Sequence, residues 1–101
     1  EAAYRAAIAA DPQHAKAHYN LGLLLKQRGD KAGAEAAYRA AIAADPQCAM
    51  AHSNLGAVLG ERGDPAGAAR LFAAALKINP ASAHAKANLQ QALRMLKEEK
   101  M

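Results

Sequence analysis

An all-α fold, a solenoid of antiparallel helix pairs, follows from three observations on the 101-residue sequence. Sliding the chain against itself by 34 residues superposes residues 1–34 on 35–68 with eight differences, which leaves 26 of 34 positions identical. Alanine dominates the apolar residues, while Trp is absent and there are only one Phe and three Tyr. Alanine has the highest helix propensity and loses no side-chain entropy, so the core is one of closely approaching helices. Finally, the breaks alternate strictly: Gly29-Asp30 and Gly63-Asp64 on one side, Asp11-Pro12, Asp45-Pro46 and Asn79-Pro80 on the other. A fixed period of this size marks units that bury their apolar faces only by stacking on neighbours.

The elements follow in order. Glu1–Ala10 repeats the sequence of a second helix but lacks its first. A first helix is predicted over Ala15–Arg28, with Leu21 and Leu25 on one face, and a second over Lys31–Ala44. The next unit repeats both. There Asp64 is placed to cap the second helix and Pro65 takes its first position, where a missing N–H costs nothing. The Pro turns close the second helices because the residue before proline leaves the helical region. Short connections make sequential helices antiparallel neighbours.

The last helix, from Ala81 to about Glu98, keeps Asn88, Leu89 and Leu93 of the pattern. It carries Gln90 where the earlier copies have Gly22 and Gly56, and it is rich in Gln, Lys, Arg and Glu. It reads as a solvating cap. Writing A and B for the first and second helix of a unit, the order is B-AB-AB-A. It forms one array: 1–14 a second helix of a truncated repeat, 15–48 and 49–82 repeats, 83–101 the capping helix. The opening helix should leave Tyr4 and Ile8 exposed. The expectation is a piece of a longer array, or a second copy covering that face.

Composition narrows the function. The net charge of +4 comes from scattered basic residues, without the dense stripe that a nucleic-acid partner requires. No run approaches the ~18 apolar residues of a membrane span. The single Cys48 excludes a disulfide framework and suits a reducing compartment, the cytoplasm or nucleus.

The run Ala17-His18-x-Asn20-Leu21-Gly22-x-x-Leu25, with Gly29-Asp30, Ala34, Tyr38, Ala41 and Pro46, resembles the tetratricopeptide repeat. The second unit repeats it as Leu55-Gly56, Leu59, Gly63-Asp64, Ala68, Phe72, Ala75 and Pro80. The resemblance covers the whole chain. It implies a right-handed superhelix whose first helices line a concave, protein-binding groove. His18 and His52 stand where the family often has Trp, and partly buried packing is expected of them. Gly22 and Ala34 should mark the closest crossing of the two helices of a unit. Ala41 should face the next unit, and Tyr38 or Phe72 should plug the gap between units. A bulky residue at Gly22 would overpack this crossing.

The two near-identical copies differ at His14/Cys48, Lys16/Met50, Tyr19/Ser53, Leu23/Ala57, Leu24/Val58, Lys26/Gly60, Gln27/Glu61 and Lys31/Pro65. Lys16, Tyr19, Leu23, Lys26 and Gln27 fall within one arc of about 100° on the first helix. Leu21 and Leu25 point away from it. A stripe that varies while its scaffold stays fixed is what a binding surface looks like, whereas exposed positions of Glu35–Ala44 do not vary at all.

Beside the stripe stand Asn20, Asn54 and Asn88, 34 residues apart. An amide both donates and accepts, so such a row can pair with the backbone of an extended peptide. It resembles the asparagine ladder in the tetratricopeptide region of O-linked N-acetylglucosamine transferases. The competing reading is a hydrogen bond within the array that ties neighbouring helices. The peptide-binding set is therefore Lys16, Tyr19, Asn20, Leu23, Lys26, Gln27, Met50, Ser53, Asn54, Ala57, Glu61, His84, Asn88 and Gln91. Lys16, Lys26, His84 and Arg94 give a mildly positive lining. Leu23, Met50 and Met95 give apolar spots, and Tyr19 is a candidate anchor. These features suit an extended protein segment with some acidic residues, held at micromolar rather than nanomolar strength.

The carboxylate clamp of chaperone-binding members is not matched: Tyr19, Leu23, His84 and Asn88 occupy its positions and only Asn54 fits. No catalytic, metal or cofactor site is expected. His14 and His18 share a helix spacing but have no third ligand nearby. Cys48 lies in a turn with no activating pocket in view, although His52 is four residues on. The chain reads as a non-enzymatic interaction scaffold. Two alternatives stay open: self-assembly by end-to-end stacking of the N-terminal helix on another copy, and the targeting arm of a larger enzyme.

Overall fold

The computed structural model describes residues 1–100. Six helices follow one another: α1 (Ala2–Ala10), α2 (Ala15–Gln27), α3 (Lys31–Ala44), α4 (Ala49–Glu61), α5 (Pro65–Ile78) and α6 (Ala83–Glu99). No strand occurs among the described residues. The predicted elements are all present. Arg28, placed in the first helix by its sequence, is instead the C-terminal cap of α2. The last helix starts later than predicted, because the Ser82 hydroxyl accepts from the Ala85 N–H at 3.2 Å and acts as its N-cap.

The turn within each pair is built from backbone bonds that require a left-handed residue. Gly29 (φ 83°) and Gly63 (φ 88°) supply it. The Gly29 N–H donates to Lys26 O at 3.0 Å, and the Asp30 N–H to Leu25 O at 2.9 Å, a Schellman closure. Gly63 and Asp64 repeat it onto Gly60 O and Leu59 O. Asp30 and Asp64 then start the next helix: their carboxylates accept from the Gly33 and Gly67 N–H groups at 2.8 and 2.9 Å. One residue thus ends one helix and begins another, which holds the pair close.

Between pairs, Asp11 and Asp45 are extended (φ −143° and −142°), as proline demands of its predecessor. Each carboxylate accepts from the N–H two residues on, at Gln13 and Gln47. His18 and His52 are half-buried as expected. They do more than pack: each donates its Nε2–H to the proline carbonyl of the preceding turn, Pro12 O at 2.8 Å and Pro46 O at 3.0 Å.

The core runs continuously through the stack, from Leu21, Leu25 and Tyr38 to Leu55, Val58, Leu59 and Phe72. Ala34, Ala41 and Ala51 are wholly buried at helix crossings. A Cβ on Gly22 would lie 2.6 Å from Tyr38 Cε1, and one on Gly56 would lie 2.8 Å from Phe72 Cε1. The aromatic plug of each unit therefore sits against its glycine. Helices touch chiefly their sequence neighbours, with α4 and α6 also in contact. The extents are 48 × 27 × 18 Å and the radius of gyration is 13.8 Å, above the roughly 13 Å of a compact domain of this length. Tyr4 and Ile8 are not left open, contrary to expectation. Both are half-buried, because they pack onto the cluster that contains Leu21 and Leu25.

Candidate functional site

Asn20, Asn54 and Asn88 are each the sixth residue of their helix, α2, α4 and α6. All three are half-buried. The Asn54 amide donates to the Tyr19 hydroxyl at 3.1 Å, across the boundary between units. This is the bond within the array that the sequence left as the competing reading, and it holds at this rung. The Asn20 and Asn88 side chains make no such bond.

Tyr19 is half-buried too, its ring tilted 46° to Tyr38 with centroids 6.0 Å apart. Tyr19, the candidate anchor, has its ring and hydroxyl engaged within the array by Tyr38 and Asn54. The Tyr38 hydroxyl is buried without a partner. Burial, then the neighbouring Tyr19, push its phenol up to about 12.

The rest of the stripe divides by exposure. Lys16, Gln27, Glu61, His84 and Gln91 are exposed, as is Met50 at 63%. Leu23, Lys26, Ser53 and Ala57 are half-buried, and Leu23 and Ala57 pack against the core. Lys26 Nζ stands 3.7 Å from the Glu61 carboxylate, which Lys31 reaches at the same distance. Exposed pairs of this length stabilise little, but they neutralise Glu61 and engage Lys26, one of the four residues of the expected positive lining.

Beside this cluster the same side of the stack opens into a cavity of about 280 Å³. Gly56, Ala57 and Gly60 of α4 line one side, and Ala92 and Met95 of α6 the other. Ala68 and Phe72 of α5, 1% and 5% exposed, form the floor. Glu61, Asn88 and Gln91 border it. Four of the predicted residues (Ala57, Glu61, Asn88 and Gln91) therefore converge on one hollow. Gly56, Gly60, Pro65, Ala68, Phe72 and Ala92 complete it from outside the predicted set, together with Met95, which was expected as an apolar spot of the groove. The signal for it lay in the copy differences: Leu23 and Lys26 give way to Ala57 and Gly60, a loss of volume at two adjacent points.

The chemistry of the hollow is apolar contact and amide pairing. Among the described residues no three His, Cys, Asp or Glu side chains are gathered to hold a metal. His14 Nδ1 accepts from the Ala17 N–H at 3.1 Å as the cap of α2. Cys48, the corresponding residue, is half-buried and makes no capping bond. Among the described residues no helix is long and apolar enough to cross a membrane.

A search of curated proteins gave no match. Among solved structures, the first TPR of Spaghetti (RPAP3) bound to HSP90 peptide SRMEEVD superposes with a TM-score of 0.89 at 21% identity, covering 93% of this chain and 75% of that one. A mutant O-GlcNAc transferase of Thermobaculum terrenum superposes with a TM-score of 0.82 at 32% identity, covering 90% of this chain. The chain spans only 18% of that transferase. The tetratricopeptide repeat model matches residues 1–47 and again 22–83. With its paired helices, Gly-aromatic crossings and 34-residue period, the chain belongs to the tetratricopeptide repeat family.

Proposed function

We propose that the chain is a protein-interaction module whose first helices, α2, α4 and α6, take up an extended segment of another polypeptide, with no catalytic role of their own. The observation that carries this reading is the recurrence of Asn20, Asn54 and Asn88 at one position of three successive first helices. Amides at a regular interval suit the regular main-chain groups of an extended peptide, whatever its side chains. Lys16, His84 and Arg94 on these helices suit acidic residues in the partner. The HSP90 peptide of the Spaghetti complex does not transfer directly, since Tyr19 and Leu23 stand where the carboxylate clamp would need Lys and Asn. The lone Cys48 thiol suits a cytoplasmic setting.

The test compares wild type with an Asn20→Ala, Asn88→Ala double variant on a peptide array. These two amides carry no internal hydrogen bond, so their removal breaks none within the array. Loss of most binding by the variant is expected, and equal binding by both removes the ladder.

A second reading, the targeting arm of a larger enzyme, draws support from the 32% identity to part of an O-GlcNAc transferase. The sequence of the full-length gene tests it: a catalytic domain in the same chain is expected, and its absence ends the reading. In-register self-stacking has an obstacle. It would set the Tyr4 ring of one copy over Gln90 of another, the place where Tyr38 tolerates only Gly22.

A further inference from the structure

We infer that the hollow between α4 and α6 is a socket for one leucine- or methionine-sized side chain of the bound segment, with Asn88 gripping the main chain beside it. This rests on the groove reading above and specifies its anchor. Thirty-four residues earlier, Leu23 and Lys26 stand at the positions of Ala57 and Gly60. There the Leu23 side chain packs against the core from within the chain. In the next step that isobutyl group is missing, and about 280 Å³ opens over Phe72 and Ala92, both at most 5% exposed. An incoming aliphatic side chain would restore the contacts that Leu23 makes one unit before.

The chemistry selects against other occupants. The floor offers carbon only. Met95, 38% exposed, supplies a wall that adapts its shape. The carboxylate at the border, Glu61, already faces Lys26 and Lys31, so it draws no strong cation into the hollow. Asn88 has its amide unengaged and sits on the border, one reach from where the main chain of an anchored residue would pass.

The experiment selects phage-displayed random dodecapeptides on immobilised protein, wild type against an Ala57→Leu, Gly60→Lys variant. That variant transplants the preceding unit's own residues, and a Cβ on Gly60 meets only Ala68 Cβ at 3.8 Å, an ordinary contact; its circular dichroism spectrum, expected to match wild type, checks that it folds. Wild type should enrich Leu or Met at one fixed position, and the filled variant should lose that enrichment. Replacing that residue by Ala in a selected peptide should weaken binding to wild type about tenfold and to the filled variant less than about twofold. As an independent readout, the Met95 methyl resonance of wild type should shift on adding the Leu peptide and not its Ala counterpart. Peptides enriched without an apolar position, but lost on Asn20→Ala with Asn88→Ala, overturn the socket and leave the groove reading standing. A preferred Phe or Lys at the fixed position overturns the socket as described, and no enrichment at all overturns both.

Discussion

Two identical substitutions, Gly22→Ala and Gly60→Ala, should move stability in opposite directions. Gly22 lies in the middle of α2 and Gly60 in the last turn of α4, so the intrinsic gain in helix propensity reaches up to about 1 kcal/mol at Gly22 and is smaller at Gly60. Their surroundings differ. A Cβ on Gly22 would lie 2.6 and 2.7 Å from two carbons of the Tyr38 ring, closer than atoms in contact tolerate. Tyr38 is wholly buried and backed by Tyr19, so it has nowhere to retreat. Overpacking of this kind costs about 1–3 kcal/mol, which leaves Gly22→Ala destabilised by up to about 2 kcal/mol. At Gly60 the nearest atom is 3.8 Å away, an ordinary contact, so the propensity gain survives. Urea unfolding followed by far-ultraviolet circular dichroism reads both midpoints. In a domain of this size each kcal/mol also moves the melting temperature by roughly 4–8 °C. A Gly22→Ala protein as stable as Gly60→Ala would refute the claim that the glycine–aromatic contact sets the spacing of the helix pair.

Four further outcomes are expected. Asp64→Ala should lower the urea midpoint by the equivalent of about 0.5–2 kcal/mol, because it removes the cap on Gly67 N–H; an unchanged midpoint would show the cap idle. Tyr38, held up to about 12 by burial, stays neutral in the fold where an unfolded tyrosine has ionised; its contribution is whole below pH ~10 and is lost as pH rises from ~10 to ~12. Absorbance titration should show one late tyrosine, absent in Tyr38→Phe, whose stability should fall less steeply across that interval. Tyr19→Phe should cost about 1 kcal/mol of stability through the lost Asn54 bond yet tighten groove binding several-fold by freeing that amide, as fluorescence polarisation with a selected peptide would read; weaker binding would mean Tyr19 itself holds the ligand. Light scattering should find a monomer at every concentration, since Gln90 blocks in-register stacking, and a concentration-dependent dimer would count against that obstacle.

The helix boundaries were legible because they are written in local chemistry. Gly29-Asp30 and Asp45-Pro46 admit few backbone conformations, and the 34-residue period repeats them. The glycine–aromatic crossing was legible for the same reason, as small and large residues recur at fixed offsets. What escaped depends on distances between units. Tyr19 reads as a candidate anchor until Asn54 of the next helix is brought to its hydroxyl. Tyr4 and Ile8 read as uncovered until α2 folds back beneath them. The socket was half legible, since Ala57 and Gly60 announce a deficit of volume. Only the arrival of Ala92 and Met95 from α6 shows that the deficit gains a second wall rather than being flattened away.

Because each helix leans almost wholly on the one before and the one after it in the chain, the loops that must close during folding are short. Closure entropy grows with loop length, so the search for native contacts is brief and any adjacent pair can nucleate it. The same locality makes the ends the weakest places. α1 has no buried residue of its own and is held at its edge by the exposed bridge from Glu1 to Arg28. Amide hydrogen exchange should therefore be fastest there and slowest in α4, where Leu55 and Val58 are sealed on both sides. The molecule will fray inward like a stack of coins losing its outermost member, while its middle keeps its shape.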